Sequence, residues 1–525
     1  MKKRSLLLLA ICLALLLPCL AACGKTTPSG TPTTVTDEKR SELPTEDNVT
    51  ETEEPIDPSL RYDVPSDLRF PNDEDGNPQK VHVLQRKDQT GVTNEMEVAK
   101  DLENPTKVQS AIYSRQEYIM EKLNVEFDYQ YESGAATNTD KAGFQQRMRN
   151  INSSGVTDPW IVSSMIYFLP PLMAEDTNIL YDLYTLNPNR TNYMDFDKVW
   201  WNSSVKEQVE LNGKLYFAVS EANISVYNRM TVMLVNLTLA DELLKDSDGN
   251  AYDFRQMVYD GKWDMTTFLS MLRQVGDGDL ENPNSSYWGL TVRNDATTID
   301  GFLLASGVRI TQRDSNGKPT ADGVFNTEWN KDRNEKIKAL YNSNGAVLKG
   351  AKAVDVENPF VQGKAVFHAN LMLAVAQENI RGMSDSFALL PLPKYSEVQD
   401  DYRVSSHNEF NALAILNCTK NTDIASAVLE MMSYESYQNV RPALFEDTYA
   451  LRSLQTLENR TMFYYILDHS YIDFAQVFGD IFGLPLDYMR EAVRYNKSVV
   501  DTFDARNEKT VTRLETFVKK LWGEE

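Results

Sequence analysis

The chain has 525 residues, of which 53 are Lys or Arg and 76 are Asp or Glu, giving a net charge of −23 at neutral pH. So acidic a surface repels nucleic acid and anionic lipid headgroups, which excludes both as direct partners. The length, with 42% hydrophobic and 10% aromatic residues, supplies apolar material for more than one core.

Lys2, Lys3 and Arg4 open the chain, and Leu6 to Leu17 forms an apolar run too short to span a bilayer comfortably. That is the layout of an export signal, set aside from fold reasoning. The run closes on Leu20-Ala21-Ala22-Cys23, which resembles the bacterial lipobox. The resemblance implies cleavage before Cys23 and lipid on its thiol and new amino group. The acyl chains would then anchor the protein on the extracellular face of the cell membrane. Loss of residues 1–22 removes three basic residues and no acidic ones, leaving 50 against 76, or −26. Cys12 and Cys19 leave with the signal, so only Cys23 and Cys418 remain and no disulfide is expected. A body this long needs none. Cys418 follows the apolar "NALAILN" and reads as a small buried hydrophobe.

Residues 24–60 hold almost no large apolar residues and become strongly acidic, so they cannot form a core. The expected disordered tether runs from Cys23 to residue 79. "KVHVLQR" (80–86) follows the turn signal "NDEDGNP" and is the first expected strand. "VQSAIYSRQEYIMEKLN" (108–124) puts Ile112, Tyr113, Ile119, Met120 and Leu123 on one helical face. "VEFDYQY" alternates as a strand, and "PWIVSS" (159–164) reads as a buried one. Helices and short strands then alternate to the C-terminus, which predicts an α/β architecture. "DEDGN" (73–77) and "DSDGN" (246–250) place acids on alternate positions, as calcium loops do. Their Gly falls at position four rather than six, which favours Asp-Gly turns, with calcium left open.

Catalytic and metal signatures are missing. His82, His368, His407 and His469 share no ligand spacing, and neither a nucleophile elbow nor a phosphate loop occurs. No metal and no cofactor are expected. With 76 acidic residues some carboxylate pair at glycosidase spacing always exists, but nothing singles one out.

Seven phrases in order resemble the extracellular solute-binding proteins of ABC transporters, the sugar-type family that includes maltose-binding protein, in its Gram-positive lipoprotein form. They are "AIYSRQEYIMEKLNVEFDY" (111–129), "DPWIVSSMIYFLPPLMAEDTNILYDL" (158–183), "NGKLYFAVSEANISVYNRMTVMLVN" (212–236), "GKWDMTTFLSMLRQV" (261–275), "NPFVQGKAVFHANLML" (358–373), "FALLPLPKYSE" (387–397) and "TKNTDIASAVLEMMSYES" (419–436). The resemblance implies a periplasmic-binding-protein-like fold of type II, with two discontinuous α/β lobes joined by hinge strands. Lobe one is expected from 80–230 plus 384–418, and lobe two from 231–383 plus 419–525. Within these phrases "GKLYFAV" is expected to launch a strand across the lobe boundary. Asp264 or Thr266 is expected to cap a helix in "GKWDMTTFL". The prolines of "LLPLP" exclude helix there.

The resemblance also implies a ligand cleft between the lobes. Ser163, Ser164 and Tyr167 fall in the loop expected after "PWIV". Trp200 and Trp201 stand in "FDKVWWNSS", where one ring could stack on a sugar and the other could be core. Glu221 and Asn223 sit at the cleft end of a hinge strand, where a carboxylate can accept from two sugar hydroxyls. Asn370 follows "GKAVFHA", but Leu371, Met372 and Leu373 replace the family's small residue and Trp. His407 and Asn408 lie in "SSHNEFNALAI". The partners implied are a sugar or oligosaccharide and an ABC permease, for a monomeric binding protein that is not an enzyme. A surface enzyme acting on glycans and a ligand sensor for a membrane receptor are the alternatives.

Overall fold

The computed structural model describes residues 57–87, 94–173, 178–275, 287–343, 346–451, 454 and 456–524, so the export signal, Cys23 and the tether up to residue 56 lie outside the described residues. Two sheets organise the body, each with helices packed on it. The first is built from β1 (Gln79–Arg86), β2 (Val125–Glu132), β3 (Trp160–Met165) and a late strand, Asn411–Ile415. Its spatial order is Asn411–Ile415, β3, β1, β2. β1 runs parallel to both neighbours, with His82 opposite Asp128 on one side and Trp160 on the other. The late strand returns antiparallel to β3, setting Asn411 against Met165.

Helices α1 (Lys107–Leu123) and α2 (Asn138–Asn152) cover this sheet. Thr106 starts α1 with a capping box completed by Gln109, and Asn124 ends it in the left-handed region at φ 57°. Ile112, Ile119 and Leu123 are buried on its inner face, while Tyr113 and Met120 are half-buried at the margin.

The second sheet holds β4 (Thr231–Asn236), β5 (Trp288–Arg293), β6 (Val347–Gly350), β7 (Ala365–Leu371) and β8 (Phe387–Pro391), in the order β8-β4-β7-β5-β6. β5 is parallel to β6 and β7, whereas β4 is antiparallel to β7 and β8. Around it lie α3 (Met265–Gln274), α4 (Ala296–Ala305) and α5 (Glu328–Tyr341). Asp264, not Thr266, caps α3 by accepting from the Thr267 amide at 2.8 Å. α4 lies so close to β4 that a Cβ on Gly301 would meet Thr231 at 2.7 Å. Trp263, Phe268 and Phe367 interlock edge to face or tilted beneath this sheet, all fully buried.

The lobe limits differ from those expected. Phe387–Pro391, expected in lobe one, pairs with β4 in the second sheet and is buried from Ala388 on. The return to the first sheet comes later, through β9 (Val404–Ser405) into β10 (Asn411–Ile415). α6 (Thr422–Glu435) and the π-helical turns that continue it to Leu451 pack on α1, not in lobe two. α7 (Leu457–Asp468) returns to β8, and β11 (Ser470–Tyr471) pairs with β9. α8 (Phe474–Phe478) touches the 166–168 turn of the first lobe, while α9 (Pro485–Arg494) packs on α4 and α5. α10 (Val499–Trp522) closes the chain against α9. The segment "GKLYFAV" forms no continuous strand and makes only the isolated bridges Lys214–Leu211 and Ala218–Leu413. Three of the segments that pass between the lobes lie side by side: Met230 bridges Ser406 just after β9, and β9 pairs with β11.

The tether ends earlier than expected. Residues 57–79 are part of the body: Val64 and Phe70 are buried, Lys198 holds the Pro58 carbonyl and Asp63, and Tyr62 packs on Trp200 and Tyr434. The two acidic phrases form turns, with Asp73 and Asp246 each accepting from backbone amides two and four residues on. No group of three metal-ligating side chains occurs among the described residues.

Candidate functional site

A small cavity of about 40 Å³ lies where the lobes meet. It has room for a few water molecules and not for a sugar ring. Tyr167 reaches it from the turn after β3, Asn408 from the stretch between β9 and β10, and Gln476 and Asp480 from α8 and the loop that follows. Asp300 of α4 and Asp487 and Arg490 of α9 supply the second lobe's wall.

The wall is fixed by charge-assisted bonds. Arg490 donates from Nε and Nη2 to the two oxygens of Asp300 at 2.8 and 2.7 Å, and its Nη1 lies 3.1 Å from Asp487. Burial opposes the guanidinium's charge, but Asp300 and then Asp487 outweigh it and raise its pKa. Burial raises the Asp487 carboxyl, with Asp300 and Asp480 adding to the effect against Arg490. Asp480 is ion-paired with Lys141 of α2, whose ammonium lies 6.0 Å from the Tyr167 ring centre. Asn408 donates to the Gln476 carbonyl at 2.8 Å, and Gln476 donates to that of Ser406 at 2.8 Å. These groups present oxygen acceptors and amide donors to the gap, a chemistry suited to hydroxyl-rich solutes.

Beneath the gap a buried polar network locks the strand ends. Glu95, fully buried, accepts from the Ser225 amide at 2.8 Å, the Ser225 hydroxyl at 3.1 Å, Asn223 at 3.3 Å and Asn411 at 2.7 Å. Burial raises its carboxyl against those four bonds. Arg86 donates to Asn411 at 2.6 Å and to the Glu409 carbonyl at 3.0 Å, and Arg229 pairs with Glu409 at 3.0 Å.

Of the sequence-predicted residues, Tyr167 and Asn408 come together at the cavity. Ser163 and Ser164 do not occupy a loop: both are inside β3, which runs on to Met165 between β1 and β10, and both are buried. Trp200 and Trp201 are both core, since each donates its indole N–H to the one carboxylate of Glu430, at 2.8 and 2.9 Å. Glu221 is buried, accepts from the Tyr227 hydroxyl at 2.9 Å and lies 3.5 Å from Arg441. Burial pushes its carboxyl up to about 7, against Arg441 and Tyr227. Asn223 belongs to the Glu95 network. Asn370 is buried and turned to His368, 3.1 Å away. His407 is half-buried near Glu409, Asp300, Arg229 and Arg490, with its backbone amide on the Arg229 carbonyl.

Sequence reasoning missed Asp300, Asp480, Asp487, Arg490, Arg86 and Glu95. One signal was available: Asp300 is the lone charge in "ATTIDGFLLA", a helix otherwise without ionisable groups. A lone buried charge on such a helix requires a partner.

No protein-family model matches the chain, and no curated protein matches it. Solved structures do. A cyclic alpha-maltosyl-1,6-maltose binding protein from Arthrobacter globiformis is 13% identical with a TM-score of 0.53, over 84% of this chain and 100% of that one. A family 1 extracellular solute-binding protein from Bifidobacterium longum subsp. infantis is 14% identical with a TM-score of 0.52, over 84% and 100%. An ABC transporter solute-binding protein from Thermotoga lettingae, bound with alpha-D-tagatose, is 10% identical with a TM-score of 0.50, over 83% and 100%. The chain thus has the two-lobed α/β fold of the family 1 extracellular solute-binding proteins.

Proposed function

We propose that the protein captures a carbohydrate between its lobes and delivers it to an ABC transporter permease, held on the outer face of the cell membrane by lipid on Cys23. The observation that carries this reading is the polar cavity at the lobe junction, close to where segments of the chain pass between the lobes. Its lining of Tyr167, Asn408, Asp300 and Arg490 offers an aromatic surface, acceptors and donors for hydroxyls. Two of the solved structures that share this fold, those from Arthrobacter globiformis and Thermotoga lettingae, are described with a sugar as ligand. At about 40 Å³ the cavity must widen to admit a sugar, so binding requires the lobes to move about the hinge. Binding rather than turnover is the chemistry proposed.

The test is calorimetry against maltotetraose, tagatose and a set of neutral mono- and oligosaccharides, with scattering on the same samples. A saturable 1:1 isotherm with unchanged sugar after long incubation is expected. Absence of heat across the whole set overturns the carbohydrate reading, and released products would make the protein an enzyme. The anchor is tested separately. Cys23→Ala should release the protein into the medium or leave it unprocessed, and membrane retention of a correctly cut variant would count against lipidation.

A further inference from the structure

A second cavity, of about 470 Å³, opens on the first lobe beside β1, the start of β3 and the C-terminal end of α2. None of its lining residues is shared with the cavity at the lobe junction. Its volume falls in the range of small-molecule sites. Ile151, Val156 and Trp160 give it an apolar wall, and Asn150 and Asp158 give it a polar one.

Two cations line the same cavity. Lys80 is exposed, and Arg147 donates from Nη2 to the neutral amide oxygen of Gln130 at 2.9 Å. Neither forms an ion pair among the described residues. Of the nearby carboxylates, Asp128 is held in its charged form by Gln130 and His82, with a smaller contribution from the charge of Lys80. Asp128 lies 2.6 Å from His82 Nδ1, and Asp158 lies 3.5 Å from His82 Nε2. His82 is held in place by stacking on Trp160, ring centres 4.3 Å apart. In a chain of net charge −23 the long-range field repels anions, so only cations lining the same cavity can hold one.

We propose that this groove binds a carboxylated monosaccharide, a hexuronate, at a site separate from the cleft. Lys80 and Arg147 take the carboxylate. The apolar wall takes the C–H face of the ring, and Asn150 and Asp158 take hydroxyls. Asp158 also disfavours a phosphate, whose second charge would sit close to it.

Galacturonate is the probe, titrated into the whole protein and followed by calorimetry and amide chemical shifts. Saturable binding is expected, weakened at least tenfold by the double change Lys80→Ala and Arg147→Ala, and weakened by added salt. Galactose, lacking the carboxylate, should bind at least tenfold more weakly at this site. Tyr167→Ala, a cleft change, should leave galacturonate binding intact, which separates this site from the cleft. Both cations are exposed, so the double variant should keep its melting temperature. Absence of saturation, equal binding of galactose, or indifference to the double change overturns the proposal.

Discussion

The Tyr62 ring stacks on that of Tyr434, with centroids 4.1 Å apart and planes 16° from parallel. A residue well upstream of the first strand is thereby sealed onto α6, and the stretch from 57 to 70 becomes a strap over the first lobe. Trp200 meets both tyrosines edge on, at 6.2 and 5.1 Å. Residues 57 to 70 thus lie on lobe one.

The strap should matter for stability. A chain beginning at residue 57 should melt as one beginning at residue 24 does. One beginning at residue 71 loses Tyr62, Val64 and Phe70 and should lose about 3–5 kcal/mol, since a single large core deletion costs that much. Denaturant unfolding of the two chains measures the difference, and equal midpoints would show that the strap is dispensable.

Glu430 gives stability a pH dependence of predictable sign. Burial pushes its carboxyl up to about 7, against the two indole donors. A raised acid contributes fully below its unfolded value, near 4.5, and the contribution is lost as pH rises through the folded value. Stability should therefore fall between about pH 4.5 and 7, by up to about 3 kcal/mol at ~1.4 kcal/mol per unit. Gln can accept from only one of the two indoles. Glu430→Gln should accordingly be less stable than wild type at acid pH, by about 1–2 kcal/mol, and that gap should shrink as pH rises. Thermal melts from pH 4 to 8 would settle it, and parallel curves would show that Glu430 does not titrate in this window.

Glu221 should behave as a structural acid. Its acceptor role toward the Tyr227 hydroxyl is internal. Glu221→Ala should cost about 1–3 kcal/mol of stability by leaving that buried hydroxyl without an acceptor. Sugar affinity should stay within a factor of about three. A large loss of affinity with unchanged stability would return Glu221 to the cleft.

Tyr167 should show the opposite pattern. It is only half-buried, at the edge of the junction cavity. Tyr167→Ala should change the unliganded melting temperature little and weaken binding of the sugar identified by calorimetry by about 1–2 kcal/mol, the order of an aromatic contact. Scattering should show contraction of the wild type on saturation and less of it in the variant at the same concentration. A variant that binds and contracts as the wild type does would remove Tyr167 from the site.

The sequence by itself determined the local elements and the α/β class. The period of α1, a helix cap at Asp264 or Thr266 and the extended "FALLP" follow from short-range rules: side-chain periodicity, capping and the stiffness of proline. Family-like phrases in order then implied two lobes, a fold now matched by solved structures. Tertiary structure alone decided the rest. An apolar strand such as Phe387–Pro391 fits either sheet by composition, and only its pairing with β4 assigns it. Adjacent tryptophans can face one carboxylate only if a helix more than 200 residues later brings Glu430 beneath them. The junction cavity depends on Asp300 meeting Arg490 across 190 positions. Polar and charged contacts of this kind depend on where a distant segment packs, and no local pattern encodes that distance.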